Sequence, residues 1–178
     1  LARHVCNQGL PMTRNTAIDI STTEYCFFLD ADNVLYPRCL EQCLVAATET
    51  SAAVVYPLLE VFGNCHRLLN TDPWNPQRFA RQNYVDAMAL VRRKALFAVD
   101  GYSVMRMTGW EDYDLWCKLI ESGFQGTRVP EILARYRSHG ESMLHTVTNQ
   151  PRNYEKVIQE IQNRHPWISY QSTSNDFS

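Results

Sequence analysis

The chain has 178 residues, is 45% hydrophobic and 20% charged, and carries a formal net charge of −2. That length supports one domain with a sizeable core rather than two. The near-neutral balance, with no local Lys/Arg cluster, excludes an electrostatic footprint for nucleic acid. No apolar segment approaches a membrane span, and the opening residues lack the basic-then-apolar pattern of a signal peptide. The six cysteines form no C-x-x-C pair, which reads as reduced core thiols of a cytoplasmic protein rather than disulfides or a zinc site.

In chain order, residues 1–10 read as a strand end and loop. Pro11 suits the first turn of a helix over 12–21. An apolar run over 25–29 (YCFFL) follows and predicts a strand buried on both faces. Pro37 opens a second helix to residue 50, with Leu40, Cys43, Leu44 and Ala47 as its apolar stripe. Residues 52–59 (AAVVYPLL) predict a strand whose pairing ends at Pro57 or lies at an edge, because proline cannot donate to a ladder. A loop-rich insert over 60–76 and a short helix over 77–82 come next. They are followed by a buried strand over 87–91 and a short helix over 93–99.

The strongest helix spans 111–122, with Leu115, Trp116, Leu119 and Ile120 at helical spacing and Gly123 as its stop. Two short strands are expected at 126–129 and 132–137, then a polar stretch over 138–150. A terminal amphipathic helix over 151–164 turns Val157, Ile158 and Ile161 inward, and a polar tail closes the chain. Alternating helices and strands argue an α/β fold.

Two stretches carry chemistry. Asp30-Ala31-Asp32 directly follows the apolar run over 25–29, so two carboxylates fall at the rim of the sheet, where open α/β folds bind ligands. A lone Asp there is ordinary turn chemistry. A pair offers hard oxygen ligands to Mg²⁺ or Mn²⁺, whose shells substrate phosphates often complete. The second stretch is GWEDYDLW over 109–116. One acid in a first helical turn complements the helix dipole, whereas Glu111, Asp112 and Asp114 together exceed that need. A carboxylate poised as a base beside an aromatic surface is the functional reading.

These residues, taken with Arg14-Asn15, DAMALVRRKALFAVDGY and YRSHGESM, resemble the GT-A-fold glycosyltransferases of the family 2 type over about residues 7–145. D-x-D alone is weak. D-x-D with an ED-bearing helix eighty residues on, and an LVRR…GY block between, is specific. The resemblance implies a Rossmann-like three-layer α/β sandwich. In that reading residues 1–166 form a partial GT-A domain lacking its first βαβ portion, and 167–178 form the polar tail.

It further implies an inverting transfer from a nucleotide-diphosphate sugar (UDP- or GDP-sugar) to a hydroxyl of a carbohydrate, lipid or protein, aided by Mn²⁺ or Mg²⁺. Asp112 falls on the base, with Glu111 beside it on a sugar. Asp32 falls on the cation and Asp30 on ribose or sugar, with Asp30 also a metal ligand by motif. Arg14 and Asn15 fall on the nucleotide, and Trp110 and Asp114 toward the acceptor. His139 falls where some members place another metal ligand, and is otherwise a solvated loop histidine. Asp100-Gly101-Tyr102 departs from the Gly-Gly pair of many relatives.

Two rivals share the opening motif. FFLDADNVL also resembles the haloacid-dehalogenase phosphatase pattern, with Asp30 as nucleophile and Asp32 as acid/base. A non-catalytic, glycosyltransferase-like binding module is the other.

Overall fold

The computed structural model describes residues 2–107, 109–140 and 150–170. Among them run helices α1 (Leu10–Ile20), α2 (Cys39–Thr50), α3 (Pro76–Phe79), α4 (Arg93–Ala98), α5 (Glu111–Glu121) and α6 (Pro151–Arg164). The strands are β1 (Tyr25–Phe27), β2 (Val34–Leu35), β3 (Val54–Gly63), β4 (Arg67–Leu69), β5 (Leu90–Arg92) and β6 (Gly126–Ser138). They form one mixed sheet in the order β1-β5-β3-β6-β2, with β4 folded back on β3. β3 and β6 are its parallel spine, paired from Val54–Gly126 to Gly63–Ser138, and the other pairings are antiparallel.

Because successive strand side chains point to opposite faces, β3 feeds two cores. Val54 and Tyr56 join Ile18, Leu96, Leu115, Trp116, Leu119, Val157 and Ile161 on one face. Val55 and Leu59 join Cys39, Cys43, Ala47, Leu90 and Ala134 on the other. Helices therefore cover both faces, which is the three-layer α/β arrangement expected.

The differences from expectation are local. β1 is a three-residue, half-buried edge strand rather than a buried central one. Phe28 leaves the ladder to pack edge-on against Tyr102 at 5.1 Å, and Leu29 stays exposed. β3 does not stop at Pro57. Its pairing with β5 ends at Val55 and that with β4 begins at Leu59, so the proline lies in the gap between two antiparallel neighbours, beside a register shift against β6. A missing N–H costs little there.

The two strands expected after α5 are one, carried past Pro130 by that same irregularity. On α2 the buried face is Cys39, Cys43 and Ala47, while Leu40 and Leu44 are exposed. Small side chains let this helix lie close to the sheet. All six cysteines are free thiols. The terminal helix keeps its expected bounds and its inward Val157, Ile158 and Ile161. Residues 141–149 of the polar stretch and the tail from 171 lie outside the described residues.

Candidate active site

A cleft of about 510 Å³ opens where the end of β1, the start of α5, the end of β6 and the loop before β5 meet. Its walls include Arg14, Asp30, Asp32, Trp110, Glu111, Asp112 and His139, so seven of the residues singled out from sequence converge. Asn83, Asp86 and Tyr136 also line it; Asp86 and Tyr136 open two of the blocks that carry the resemblance but had no role assigned, and Asn83 lay outside every motif.

Each group is placed by a local cause. After β1 the chain turns, with the Asn33 N–H donating to the Asp30 carbonyl at 3.1 Å. The Asn33 side-chain oxygen accepts the Arg137 N–H at 2.9 Å, and Arg137 Nε donates to the Asp32 carbonyl at 3.1 Å. The turn is thereby pinned to the end of β6. His139 follows that strand, and its Nε2 lies 3.0 Å from Asp32 Oδ2.

Arg14, buried on α1, bridges the two halves of the cleft. One guanidinium nitrogen donates to Asp30 Oδ1 at 2.9 Å and another to Glu111 Oε1 at 3.2 Å. The guanidinium also lies over the Tyr102 ring, 5.1 Å from its centroid. Burial works against its charge, but Tyr102, Asp30, Glu111 and Asp112 outweigh burial and hold the proton more tightly than usual. A planar fork can grip two carboxylates at once, which a lysine cannot.

The backbone turns into α5 through Gly109 (φ 115°) and Trp110 (φ 58°). A left-handed tryptophan is strained, and such strain gathers at functional sites. The three acids that follow point three ways, as a rotation of about 100° per residue requires. Glu111 meets Arg14, Asp112 faces the cleft, and Asp114 turns into the interior.

Asp112 Oδ1 accepts the Tyr113 N–H at 2.7 Å and the Asn83 amide at 3.2 Å. Burial, then Glu111 and Asp86, raise its pKa from the ordinary 3.8 to about 8, against the opposing pull of Arg14 and the Tyr113 N–H. Asp86 is raised to about 6, chiefly by burial. Its Oδ1 accepts the Met88 N–H at 2.8 Å.

Two expected residues are not brought to the cleft. Asp114 is fully buried behind α5, where Oδ1 meets Arg164 Nε and, at 3.1 Å, His165 Nε2. Burial would raise its pKa, but hydrogen bonds from His165, Ser103 and Arg164 hold it at about 2. This acid fastens α5 to the end of α6 and cannot touch an acceptor. Asn15 clamps the loop after α4 instead of a nucleotide. Its Nδ2 donates to the Tyr102 carbonyl and its Oδ1 accepts the Tyr102 N–H, both at 2.7 Å. Gly101, at φ 59°, is required there, since a Cβ would fall 2.4 Å from Asn15 Oδ1. Trp110 lines the cleft and packs edge-on against Tyr113 and Tyr154.

Replacing Asp114 by Asn is accordingly expected to lower stability by about 1–3 kcal/mol, as a buried charge-assisted pairing is lost. A urea titration would read this as an earlier midpoint with an unchanged slope. An unshifted midpoint would contradict the fastening role.

The metal expectation can be tested on the donor set. Among the described residues no group of three His, Cys, Asp or Glu side chains is arranged to hold an ion. Asp32 and His139 form a half-exposed pair at the cleft. Mg²⁺ and Mn²⁺ commonly take one or two protein ligands and complete their shell with water and substrate phosphates. The pair fits that kind of site. Asp30 is engaged by Arg14 and is less available as a ligand.

The Glycosyl transferase family 2 model matches residues 1–113. The chain belongs to this family. It is similar to the putative glycosyltransferase EpsE of Bacillus subtilis (strain 168), with 28% identity over 152 residues, 80% of this chain and 53% of that protein. Among solved structures it is similar to S. aureus TarS 1–349 in complex with UDP-GlcNAc, with a TM-score of 0.67 at 12% identity, over 88% of this chain and 46% of that one. The same TarS segment in complex with UDP gives 0.62 at 12% identity, over 86% and 44%. At such identities the structural likeness shows the shared GT-A fold. The chain spans about half the length of these relatives. Among the described residues no helix is long and apolar enough to cross a membrane.

The family 2 match removes the haloacid-dehalogenase reading, and the geometry explains why. Asp30 is ion-paired with Arg14 rather than poised as a nucleophile, and β1 is an antiparallel edge strand.

Proposed function

We propose that the protein transfers a sugar from a nucleoside diphosphate donor, a UDP- or GDP-sugar, to an acceptor hydroxyl with inversion at the anomeric carbon. The observation that carries this is the convergence in one cleft of the Asp32–His139 pair, the Asp30–Arg14–Glu111 bridge and the proton-holding Asp112.

In this reading Asp112 takes the proton of the acceptor hydroxyl. That oxygen bonds to the anomeric carbon as the bond to the diphosphate breaks. Attack opposite the leaving group inverts the centre, by analogy with single-displacement glycosidases. A base whose pKa lies near the working pH is well matched to this task. Asp32 and His139 would hold Mn²⁺ or Mg²⁺, which when bound neutralises charge on the departing diphosphate. Arg14 holds Glu111 and Asp30 in fixed positions beside the donor, and Trp110 offers a face to a sugar ring. The acceptor is a hydroxyl of a carbohydrate, lipid or protein, and the reaction is placed in the cytoplasm.

Metal-dependent thermal stabilisation by UDP or GDP tests the donor and cation side. In the full-length protein, Mn²⁺ with UDP or GDP is expected to raise Tm, and Asp32→Ala is expected to abolish that rise. Equal stabilisation with and without Mn²⁺, or an unaffected Asp32→Ala variant, would contradict the assignment. No response to either nucleotide would favour a binding module without transferase activity.

A further inference from the structure

Asn83 lies in the loop between α3 and β5, ahead of the block that begins at Asp86, and it lines the cleft beside Asp112. Its amide has two ends in very different situations. Nδ2 donates to Asp112 Oδ1 at 3.2 Å. Its Oδ1 is buried and has no hydrogen-bond partner among the described residues. The orientation is fixed by its neighbour. Asp112 Oδ1 already accepts the Tyr113 N–H at 2.7 Å, so it presents lone pairs and requires a donor from Asn83.

We propose that Asn83 is a positioning residue for Asp112, its Nδ2 holding the carboxylate by the hydrogen bond to Oδ1. This rests on the reading of Asp112 as the base. With the Tyr113 N–H and the Asn83 amide both on Oδ1, that oxygen is saturated. Oδ2, which has no partner among the described residues, is left to take the proton. The side chain is held in one rotamer with one oxygen offered to substrate.

The charged groups around Asp112 are Glu111 on its own helix, Asp86 from the loop before β5 and Arg14 from α1. Two of these oppose its ionisation and one favours it. Asn83 is the neutral donor that stabilises the carboxylate, as a hydrogen bond to a charged group does.

The test uses the full-length protein carrying ¹³C-carboxyl aspartate. In Asn83→Ala the Asp112 carboxyl titration is expected to move upward by about one pH unit, the value of one charge-assisted hydrogen bond. Asn83→Asp, which keeps the shape and removes the donor, is expected to move it further. An unmoved titration in either folded variant overturns the positioning role, and it does so whether or not transfer is observed.

Discussion

Asp112→Asn is expected to lower transfer by roughly 10²–10⁴-fold, the usual contribution of a general base, while leaving nucleotide binding in place. The Asn side chain can still accept the Tyr113 N–H and the Asn83 amide, so the cleft keeps its shape. The same substitution carries a stability signature of opposite sign. In the folded protein the Asp112 carboxyl keeps its proton up to about pH 8, against the ordinary 3.8 of an exposed carboxyl, because burial, Glu111 and Asp86 oppose its charge.

Between those limits the folded state binds more protons than the unfolded state, so stability falls as pH rises. This contribution is fully present below the unfolded value and gone above about pH 8. An asparagine cannot ionise. Asp112→Asn is therefore expected to have a higher Tm than wild type, by a margin that widens from pH 4 and levels off above pH 8. Parallel Tm profiles for the two proteins would show that Asp112 is not held protonated. Unchanged turnover would show that it is not the base.

Arg14→Met is expected to cost about 3–5 kcal/mol, because it leaves the buried Glu111 carboxylate without its partner. Denaturant unfolding at neutral pH would read this, and a loss under 1 kcal/mol would contradict the bridging role. Activity is expected to fall with it. The guanidinium favours the ionised form of Asp112, so its removal moves the acid limb of the rate profile further upward. Arg14→Lys separates the two effects. A single ammonium restores charge near Glu111 but cannot grip Asp30 and Glu111 together, so the variant is expected to fold better than Arg14→Met and to stay well below wild-type turnover.

The parts of the site legible in sequence were those where charge contradicts context. Asp30 and Asp32 stand out because they end an apolar run, and the acids of α5 stand out because one would have sufficed. What a linear pattern could not tell was which of those acids faces the cleft. Asp112 and Asp114 are two positions apart and nearly opposite on a helix, and the partners that bury Asp114 come from Arg164 and His165, about fifty residues later. Asn83 was invisible, and Asp86 had no role within its block, for the same reason. Their loop is delivered by packing, with Trp116 Nε1 donating to the Val85 carbonyl at 2.9 Å and the Tyr113 hydroxyl donating to the Phe79 carbonyl.

Within the fold, periodicity located α2, α5 and α6, but it favoured Leu40 and Leu44 on α2 where small residues do the packing. Pro57 was read by its cost in a continuous ladder, when the sheet leaves a gap for it. Of the cysteines expected in the core, Cys39, Cys43 and Cys117 are buried there while Cys6 and Cys65 are exposed, and Asn15 was a motif neighbour of Arg14 whose amide was already engaged by Tyr102.

The central claim is that this cleft moves a sugar from a nucleoside diphosphate. Release of UDP or GDP from a panel of UDP- and GDP-sugars by the full-length protein with Mn²⁺ tests it most directly. The account predicts release from at least one donor, with a rate that rises with pH through the ionisation of Asp112 near 8. Failure with every donor across that pH range, by a protein that binds the nucleotide, would contradict it.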